Sequence, residues 1–268
     1  MFAFRDARGV VDVAFTDRHG GVSQGPFSSL NLAQSGADDV TAVAENIRRV
    51  TEAFTGTTAG QRPAPVVARM HQVHGADVTV VDATFLKSLG SPPASGSPQG
   101  LSGSPQGLGS QPASDGLVST TPGVLLMVRV ADCVPVLLAD VVTGVIGAAH
   151  AGRKGMVAGI VPATVQRMRS LGAQEIVAWV GPHVCGSCYE VPDAMRAEVA
   201  AIVPQTYSET SWGTPALDVG AGVRAQLGAE GVDVIDVDRC TIEDTDLFSH
   251  RRQQAGSGRI AGLVWVRP

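Results

Sequence analysis

The segment Val134-Pro-Val-Leu-Leu-Ala139, followed by Asp140-Val-Val-Thr-Gly144 and then by Val145-Ile-Gly-Ala-Ala149, decides the fold. Two runs of aliphatic and β-branched residues flank a loop of about five residues that ends in glycine, which is the pattern of a β-hairpin. The segment is therefore predicted to form a β-hairpin.

Cys133 and His150 border this hairpin at its open end. If the chain folds back about Val142, Cys133 faces a position near Ala151 and His150 faces one near Val134. Directly opposed residues have Cβ atoms about 5 Å apart and diagonal ones about 7 Å apart, so a thiolate and an imidazole at this end can share a metal ion or a proton. Three interpretations stay open: a thiol nucleophile activated by the histidine, two zinc ligands, or a buried cysteine beside a hydrogen-bonded core histidine.

A third ligand is available in His71-Gln-Val-His74-Gly75, which lies between two candidate strands where a loop can reach the hairpin's open end. A catalytic zinc takes three protein ligands and keeps its fourth position open. The spacing does not decide whether His71 or His74 is the ligand.

Hydrophobic periodicity divides the rest of the chain into helices and strands. Helices are predicted at Thr41–Phe54, Gly155–Leu171, Asp193 to near Pro204, and Ala216–Ala229. Runs rich in Val and Ile predict strands at Val66–Met70, Val78–Val81, Val124–Val130, Val134–Ala139, Val145–Ala149, Ile176–Val180, Val232–Val237 and Ile260–Val266. This pattern indicates an α+β protein whose sheets are covered by helices.

Composition excludes several classes of protein. The chain has 268 residues, 44% of them hydrophobic, and a formal net charge of −5, so it can bury a core but lacks the basic excess of a nucleic-acid-binding protein. No run approaches the roughly 18 to 20 apolar residues of a membrane span, and the N-terminus has no apolar signal region. We therefore expect a cytoplasmic protein that binds neither membrane nor nucleic acid, with its four cysteines as thiols or metal ligands.

A low-complexity segment runs from Ser88 to Ser114, and 19 of its 27 residues are Gly, Ser or Pro. It contains a tandem heptapeptide at 95–101 and 102–108 and carries no charge, so it cannot bury enough apolar surface to offset its ordering entropy. Hydrophobic patterns of full strength lie on both sides. The prediction is one domain over residues 1–268 with a long flexible loop at 88–114.

Other motifs are weaker. Cys185-Gly-Ser-Cys188 has the spacing of a zinc knuckle but no second pair of the same kind, and only His183 and Cys240 are spare partners, which favours an ordinary loop. Ser249-His-Arg-Arg252 carries two adjacent arginines that can bind phosphate or be merely solvated.

An ordered set of motifs resembles the YfiH-type family, long described as laccase-like polyphenol oxidases and now regarded as purine nucleoside phosphorylases. The resemblance covers about residue 13 to 266 outside the low-complexity segment. The motifs are Arg18-His-Gly-Gly-Val-Ser23, Ser29-Leu-Asn-Leu32, Gln72-Val-His-Gly75, Asp115-Gly116, Ala131-Asp-Cys133-Val-Pro135, His150-Ala-Gly152, Gly181-Pro182, Tyr189-Glu-Val191, Asp238-Arg-Cys-Thr241 and Phe248-Ser-His-Arg-Arg252.

The resemblance implies a four-layer α/β/β/α fold with mixed sheets, a bound zinc, and phosphorolysis of adenosine, inosine, guanosine and S-methyl-5′-thioadenosine, with some adenosine deamination. It implies that the zinc ligands and catalytic residues are His74, Cys133 and His150, which leaves His71 either structural or in contact with a ligand. The expected partners are purine nucleosides and phosphate, and copper is the second candidate ion. Candidate substrate-binding residues are Arg18, Asn31, Lys154 and Arg251.

This chain departs from the family at one informative place: Arg153-Lys154 stands where relatives usually have Trp-Arg. Three other functions stay open. One is a Cys-His thiol hydrolase linked to peptidoglycan editing, and another is the copper polyphenol oxidase of the older family name. Copper laccases use many histidines, and six in the whole chain disfavour that function. The third is a non-catalytic binding protein in which zinc has a closed fourth coordination site and serves only the fold.

Overall fold

In the computed structural model, which describes residues 1–33, 37–57, 65–89 and 111–268, two β-sheets pack face to face with helices on both outer surfaces. The strands are β1 Phe2–Arg8, β2 Val11–Thr16, β3 Val66–Ala68, β4 Val78–Val80, β5 Gly116–Ser119, β6 Val124–Val130, β7 Val134–Asp140, β8 Val145–Ala151, β9 Val177–Val180, β10 Tyr207–Glu209, β11 Pro215–Leu217, β12 Asp233–Asp236 and β13 Ile260–Val266. The α-helices are α1 Val40–Thr55, α2 Ala83–Leu89, α3 Arg153–Val157, α4 Ile160–Ser170, α5 Asp193–Ile202, α6 Val219–Ala229 and α7 His250–Gln253.

Both large sheets are mixed. The first has the strand order β1-β2-β13-β6-β3, in which only β3 and β6 run parallel. The second has the order β12-β9-β7-β8-β5-β4, in which the two outer pairs are parallel and the central ones antiparallel. A two-stranded sheet of β10 and β11 lies apart from them. The central hairpin of the second sheet is the segment that the sequence analysis singled out.

Three hydrophobic clusters occupy three interfaces between layers. Leu137 and Trp179 belong to the cluster between the two sheets. Val50 and Phe54 of α1 pack on the outer face of the first sheet, and Met168 of α4 belongs to the cluster that joins helices α3 to α6 to the second sheet. Side chains buried in this way contribute about 1.5–3 kcal/mol each. The layers therefore follow the order α/β/β/α, which confirms the expected single-domain α+β fold.

The register of the β7–β8 hairpin differs by one residue from the prediction. Val134 pairs with Ala151, and Pro135 pairs with His150, whereas folding about Val142 placed His150 opposite Val134. A one-residue slip moves a side chain to the other face of a sheet. Cys133 still lies immediately before β7, so it and His150 are at the same end of the hairpin, as predicted.

The turn chemistry explains this register. One carboxylate oxygen of Asp140 accepts hydrogen bonds from the backbone N–H groups of Val142 at 2.9 Å and Thr143 at 3.0 Å. Gly144 has a φ of +73°, a conformation that glycine adopts at little cost. Asp140 and Val145 are consequently the closing pair of a four-residue loop.

Two of the predicted helices begin or break at other residues. The helix predicted over Gly155–Leu171 is divided into α3 and α4 at Gly159, whose φ is +87°, and Pro162 lies in the first turn of α4, where proline is tolerated. The helix predicted from Ala216 begins at Val219 because Asp218 caps it, accepting a hydrogen bond from Ala221 N at 2.7 Å. Among the described residues, no helix combines the length and apolarity required to cross a bilayer.

The low-complexity segment was predicted to run from residue 88 to 114, and its part at 90–110 lies outside the described residues. Its two ends belong to the fold. Helix α2 extends to Leu89, and Ala113 forms a β-bridge with His71. Ser114 is buried and its hydroxyl accepts a hydrogen bond from Thr79 Oγ1 at 3.2 Å. The predicted segment was therefore too long at its C-terminal end.

Candidate metal centre

His74, Cys133 and His150 converge at the open end of the β7–β8 hairpin. Their ligand atoms all lie within 4.8 Å of one another, and Cys133 Sγ is 3.8 Å from His74 Nε2. The two imidazole rings are 4.8 Å apart and nearly perpendicular. His71 is not a member of this group; its side chain is exposed and its backbone pairs with Ala113. The structure thus brings together the three residues that the family resemblance implied as ligands.

Asp115 connects the parts of this centre. Its fully buried carboxylate accepts a hydrogen bond from His150 Nδ1 at 2.7 Å and three more from the backbone N–H groups of Val73, His74 and Gly75 at 3.1, 3.0 and 2.7 Å. The hydrogen bond at Nδ1 leaves Nε2 of His150 as the ligand atom, the usual role of a carboxylate behind a metal-binding histidine. A single carboxylate therefore orients two of the three ligands.

The electrostatics of the three side chains favour an ionised thiol. Burial acts to raise the pKa of Cys133, but the adjacent His150 and His74 lower it to about 6. Burial acts to lower the pKa of His150, but Cys133 and Asp115 raise it. Because a metal ion binds the thiolate and not the thiol, the centre holds Cys133 in the form that a metal requires.

Two non-glycine residues at the centre adopt left-handed backbone conformations, His74 with φ +61° and Asp132 with φ +85°. Such conformations persist only where the surroundings hold them, and they concentrate at functional sites. The Asp132 carboxylate accepts hydrogen bonds from Thr241 Oγ1 at 2.7 Å and Arg251 N at 2.6 Å, and its carbonyl accepts one from Val184 N at 3.0 Å. Two loops and helix α7 are thereby fixed around Cys133.

Gly152 packs directly against the centre. A Cβ atom at this position would lie 2.7 Å from His74 Cδ2 and 3.0 Å from Cys133 Sγ. Both distances are shorter than ordinary van der Waals contact, so one or both ligands would have to move. The backbone approaches the ligands this closely only because residue 152 has no side chain.

Gly152→Ala is therefore expected to weaken metal binding about 10-fold or more while the protein stays folded, because ligand atoms must be held to within about 0.5 Å. Isothermal titration of zinc into the metal-free protein measures the change. Gly228→Ala is the matched control: no atom lies within 4 Å of the added Cβ, and alanine is the better helix former by about 1 kcal/mol. Equal zinc affinities in the two variants would contradict the close packing at Gly152.

The predicted substrate-binding cations lie in different surroundings. The Arg18 guanidinium donates to the carbonyls of Ser28 at 2.8 Å and Pro26 at 3.3 Å and stacks 4.4 Å from the centre of the Phe248 ring. Lys154 is exposed on α3, two residues after Gly152. Arg18 is thus held in place by backbone carbonyls, whereas Lys154 is presented to solvent beside the centre.

Arg251 borders a cleft of about 770 Å³ that Cys188, Glu190, Trp212 and Arg252 also line. This volume falls within the range of about 300–1,000 Å³ usual for small-molecule sites. The backbone N–H of Arg251 donates to Asp132, the residue that precedes Cys133, so Arg251 connects the edge of this cleft to the loop that carries Cys133.

Asn31 is fully buried, and both ends of its amide are used inside the protein. Its Nδ2 donates to Asp38 at 2.8 Å, and its Oδ1 accepts from Ala33 N and Arg259 N, each at 2.9 Å. A buried amide engaged in this way orients the chain around it. We find Asn31 placed to support Arg259, not to offer a free polar atom to a ligand.

Sequence reasoning assigned no role to Asp115 or Arg259. Burial lowers the pKa of the Arg259 guanidinium, an effect that the nearby anionic groups of Cys133 and Asp132 oppose, so Arg259 is a further cation close to the centre. The one sequence signal for Asp115 was its place in the ordered motif set. Arg259 lay outside every motif, so the sequence offered no signal for it.

The fold of two packed mixed sheets is shared with proteins of known structure. The chain belongs to the YfiH family: the family pattern described as "Multi-copper polyphenol oxidoreductase laccase" matches residues 12–267. It is similar in structure to YlmD of Geobacillus stearothermophilus, with a TM-score of 0.79 and 30% identity over 100% of this chain and 99% of that one.

Named relatives are closer in sequence. A Streptomyces coelicolor protein named as a purine nucleoside phosphorylase is 49% identical over 99% of this chain and 100% of its own length. A Streptomyces griseus protein of the same name is also 49% identical, over 96% and 95% of the two chains. A Mycobacterium tuberculosis protein with that name is 43% identical over 94% and 90%.

Proposed function

We propose that this protein is a zinc-dependent purine nucleoside phosphorylase with adenosine deamination as a second activity. Adenosine, inosine, guanosine or S-methyl-5′-thioadenosine would react with phosphate to give the free base and the corresponding pentose 1-phosphate. The observation that carries the proposal is the His74–Cys133–His150 centre with Asp115 behind it, in a chain 49% identical over nearly its full length to a relative with that name.

The donor set fits zinc. One thiolate and two imidazoles are borderline-soft ligands that suit a tetrahedral ion with an open fourth position. Copper is the second candidate, but the multi-copper sites of laccases need more histidines than the six in the whole chain. When bound, zinc would supply a Lewis acid beside the reacting nucleoside.

The residues around the centre have tasks in such a reaction. The bond from C1′ of the pentose to the purine nitrogen breaks as a phosphate oxygen attaches to C1′, and the purine leaves with its bonding electrons and takes up a proton. Positive charge next to the cleft holds phosphate and stabilises the charge that moves in the transition state. Arg251 lines the cleft, and Lys154 and Arg259 are further cations near the centre.

The first test is release of free base from adenosine and inosine, with and without phosphate, on protein whose zinc content has been measured. Phosphate-dependent release together with pentose 1-phosphate is the expected result. Zinc-loaded protein that releases no base, or that releases it equally without phosphate, would contradict the proposal. Formation of inosine from adenosine measures the deaminase activity separately.

A thiol hydrolase is the second candidate, and the lowered pKa of Cys133 beside His150 is the observation that favours it. A nucleophilic cysteine needs a base within hydrogen-bond reach and no metal. Activity that survives complete removal of metal and is lost on alkylation by iodoacetamide would support this function.

We place the proposed reaction in the cytoplasm. All four cysteines are free thiols, which supports a reducing compartment because disulfides persist in oxidising ones. Purine nucleosides and phosphate would be the partners of the protein there.

Arg251→Ala is expected to raise KM for phosphate about 10-fold, because the loss of one charge-assisted hydrogen bond costs roughly 1.5–3 kcal/mol. Metal content should not change. Steady-state kinetics at varied phosphate and saturating inosine measure the effect. Arg48→Ala removes an arginine that pairs with Glu45 and Glu52 on α1, on the outer face of the other sheet, and should leave KM unaltered; an equal rise in both variants would count against a phosphate role for Arg251.

A further inference from the structure

A second cluster of metal-binding side chains lies outside the centre described above. The ligand atoms of Cys185, Cys188, Cys240 and Glu243 all lie within 4.8 Å of one another, and Cys188 Sγ is 3.3 Å from Glu243 Oε1. Zinc–sulfur bonds of about 2.3 Å in a tetrahedron place the sulfur atoms about 3.8 Å apart. The spacing of the cluster is therefore that of four ligands around one ion.

Two loops of similar design supply these ligands. One contributes residues 185 and 188, the other residues 240 and 243, so each loop provides a ligand pair at i and i+3. In each loop the carbonyl of the first cysteine accepts a hydrogen bond from the fourth residue after it, Tyr189 N at 3.1 Å and Asp244 N at 2.9 Å. The sequence favoured an ordinary loop for Cys185 and Cys188 because it showed no second cysteine pair; the fold supplies a cysteine–glutamate pair instead.

The two loops are also bonded to each other. His183 N donates to Arg239 O at 3.2 Å, and Thr241 N donates to His183 O at 2.9 Å. The backbone N–H of Cys185 points at Cys240 Sγ with a distance of 3.4 Å. The Cys240 sulfur therefore lies directly against the backbone of the other loop.

We propose that Cys185, Cys188, Cys240 and Glu243 bind one structural Zn²⁺. Thiolate ligands select zinc over hard cations such as Mg²⁺ and Ca²⁺, and a carboxylate oxygen is an accepted fourth ligand. Iron–sulfur clusters are usually held by four cysteines, whereas this site has three. Four protein ligands close the coordination sphere, so this zinc has no open position and takes no direct part in catalysis.

The location of the site gives the ion a structural task. Val184, next to Cys185, donates its N–H to the Asp132 carbonyl, and Thr241, next to Cys240, donates its hydroxyl to the Asp132 carboxylate. Asp132 precedes the catalytic-centre ligand Cys133. A metal that joins the two loops therefore stabilises the wall of the neighbouring centre.

Zinc content of the full-length protein tests this proposal independently of the proposed function. Wild type should contain two zinc ions per chain, Cys133→Ala one, Cys185→Ser one, and the double variant none. In Cys133→Ala, X-ray absorption at the zinc edge should show about three sulfur neighbours and one oxygen neighbour. Removal of that zinc by a chelator should lower the melting temperature of this variant.

Two further variants keep the test decisive. Glu243→Gln alters an exposed side chain and should weaken zinc binding in the Cys133→Ala background without loss of fold. Ser187→Ala removes a hydroxyl 3.1 Å from Cys185 Sγ that is not a ligand, and it should keep two ions. The proposal would be overturned if Cys133→Ala contained no zinc and this cluster held three reactive thiols or a disulfide. If wild type contained one zinc, bound only by the cysteine cluster, the result would support this proposal and contradict a zinc enzyme at the other centre.

Discussion

Cys133→Ala is expected to lower kcat/KM for phosphorolysis at least about a thousandfold, since a Lewis acid at the reacting centre contributes several kcal/mol and each 1.36 kcal/mol is tenfold in rate. Cys133 is the single sulfur ligand of the centre, and its replacement would remove the anionic group that faces both histidines, although Asp115 would still accept the hydrogen bond from His150. The measurement is initial rate of base release from inosine, together with zinc content. A variant that kept both its zinc at this centre and full activity would exclude the proposed function.

Two comparisons show whether the loss of activity in Cys133→Ala comes from the loss of a metal ligand. His71→Ala changes the exposed histidine three residues before His74 and should retain activity, whereas His74→Ala should behave like Cys133→Ala. Iodoacetamide should alkylate Cys133 rapidly in metal-free wild type and slowly in zinc-loaded wild type, because a coordinated thiolate is shielded. Equal inactivation with and without zinc would instead favour the thiol hydrolase.

The sequence predicted the central hairpin and two of the candidate metal ligands because that signal is local. An uncharged run, a glycine-ended turn and a second uncharged run specify a β-hairpin, and Cys133 and His150 then follow at its open end. The register was off by one residue because it depends on Asp140 hydrogen-bonding the turn, a contact that spacing alone does not define.

Features formed by residues that lie far apart in the chain were harder to predict from the sequence. The N-terminal hairpin of β1 and β2 was missed; its first strand is only partly covered, so no periodic apolar face marks it. Asp115 lies 35 residues before His150 and beside the low-complexity segment, and nothing in its neighbours indicates that the chain returns there. The cysteine–glutamate cluster joins loops 55 residues apart.

Asp115→Asn is expected to reduce zinc affinity at the His74–Cys133–His150 centre about 10- to 100-fold, the usual effect of losing the carboxylate behind a metal-binding histidine. The carboxylate accepts four hydrogen bonds, from His150 Nδ1 and three backbone N–H groups. An amide has one acceptor oxygen and a donor NH₂, so at least one N–H group would meet another donor. Both the orientation of His150 and the position of the His74 loop depend on these bonds.

Asp140→Asn separates this effect from a general loss of stability. Asp140 is equally buried and also accepts four hydrogen bonds, from the backbone N–H groups of Val142, Thr143, Gln174 and Glu175. It ends strand β7, whereas Cys133 precedes that strand, so about 20 Å separates them at roughly 3.3 Å per residue. Both variants should unfold at a lower temperature, but only Asp115→Asn should lose zinc affinity and activity. If Asp140→Asn lost zinc to the same degree, the role of Asp115 would be one of stability alone; if Asp115→Asn kept wild-type affinity, the two histidines would be oriented by the fold without its carboxylate.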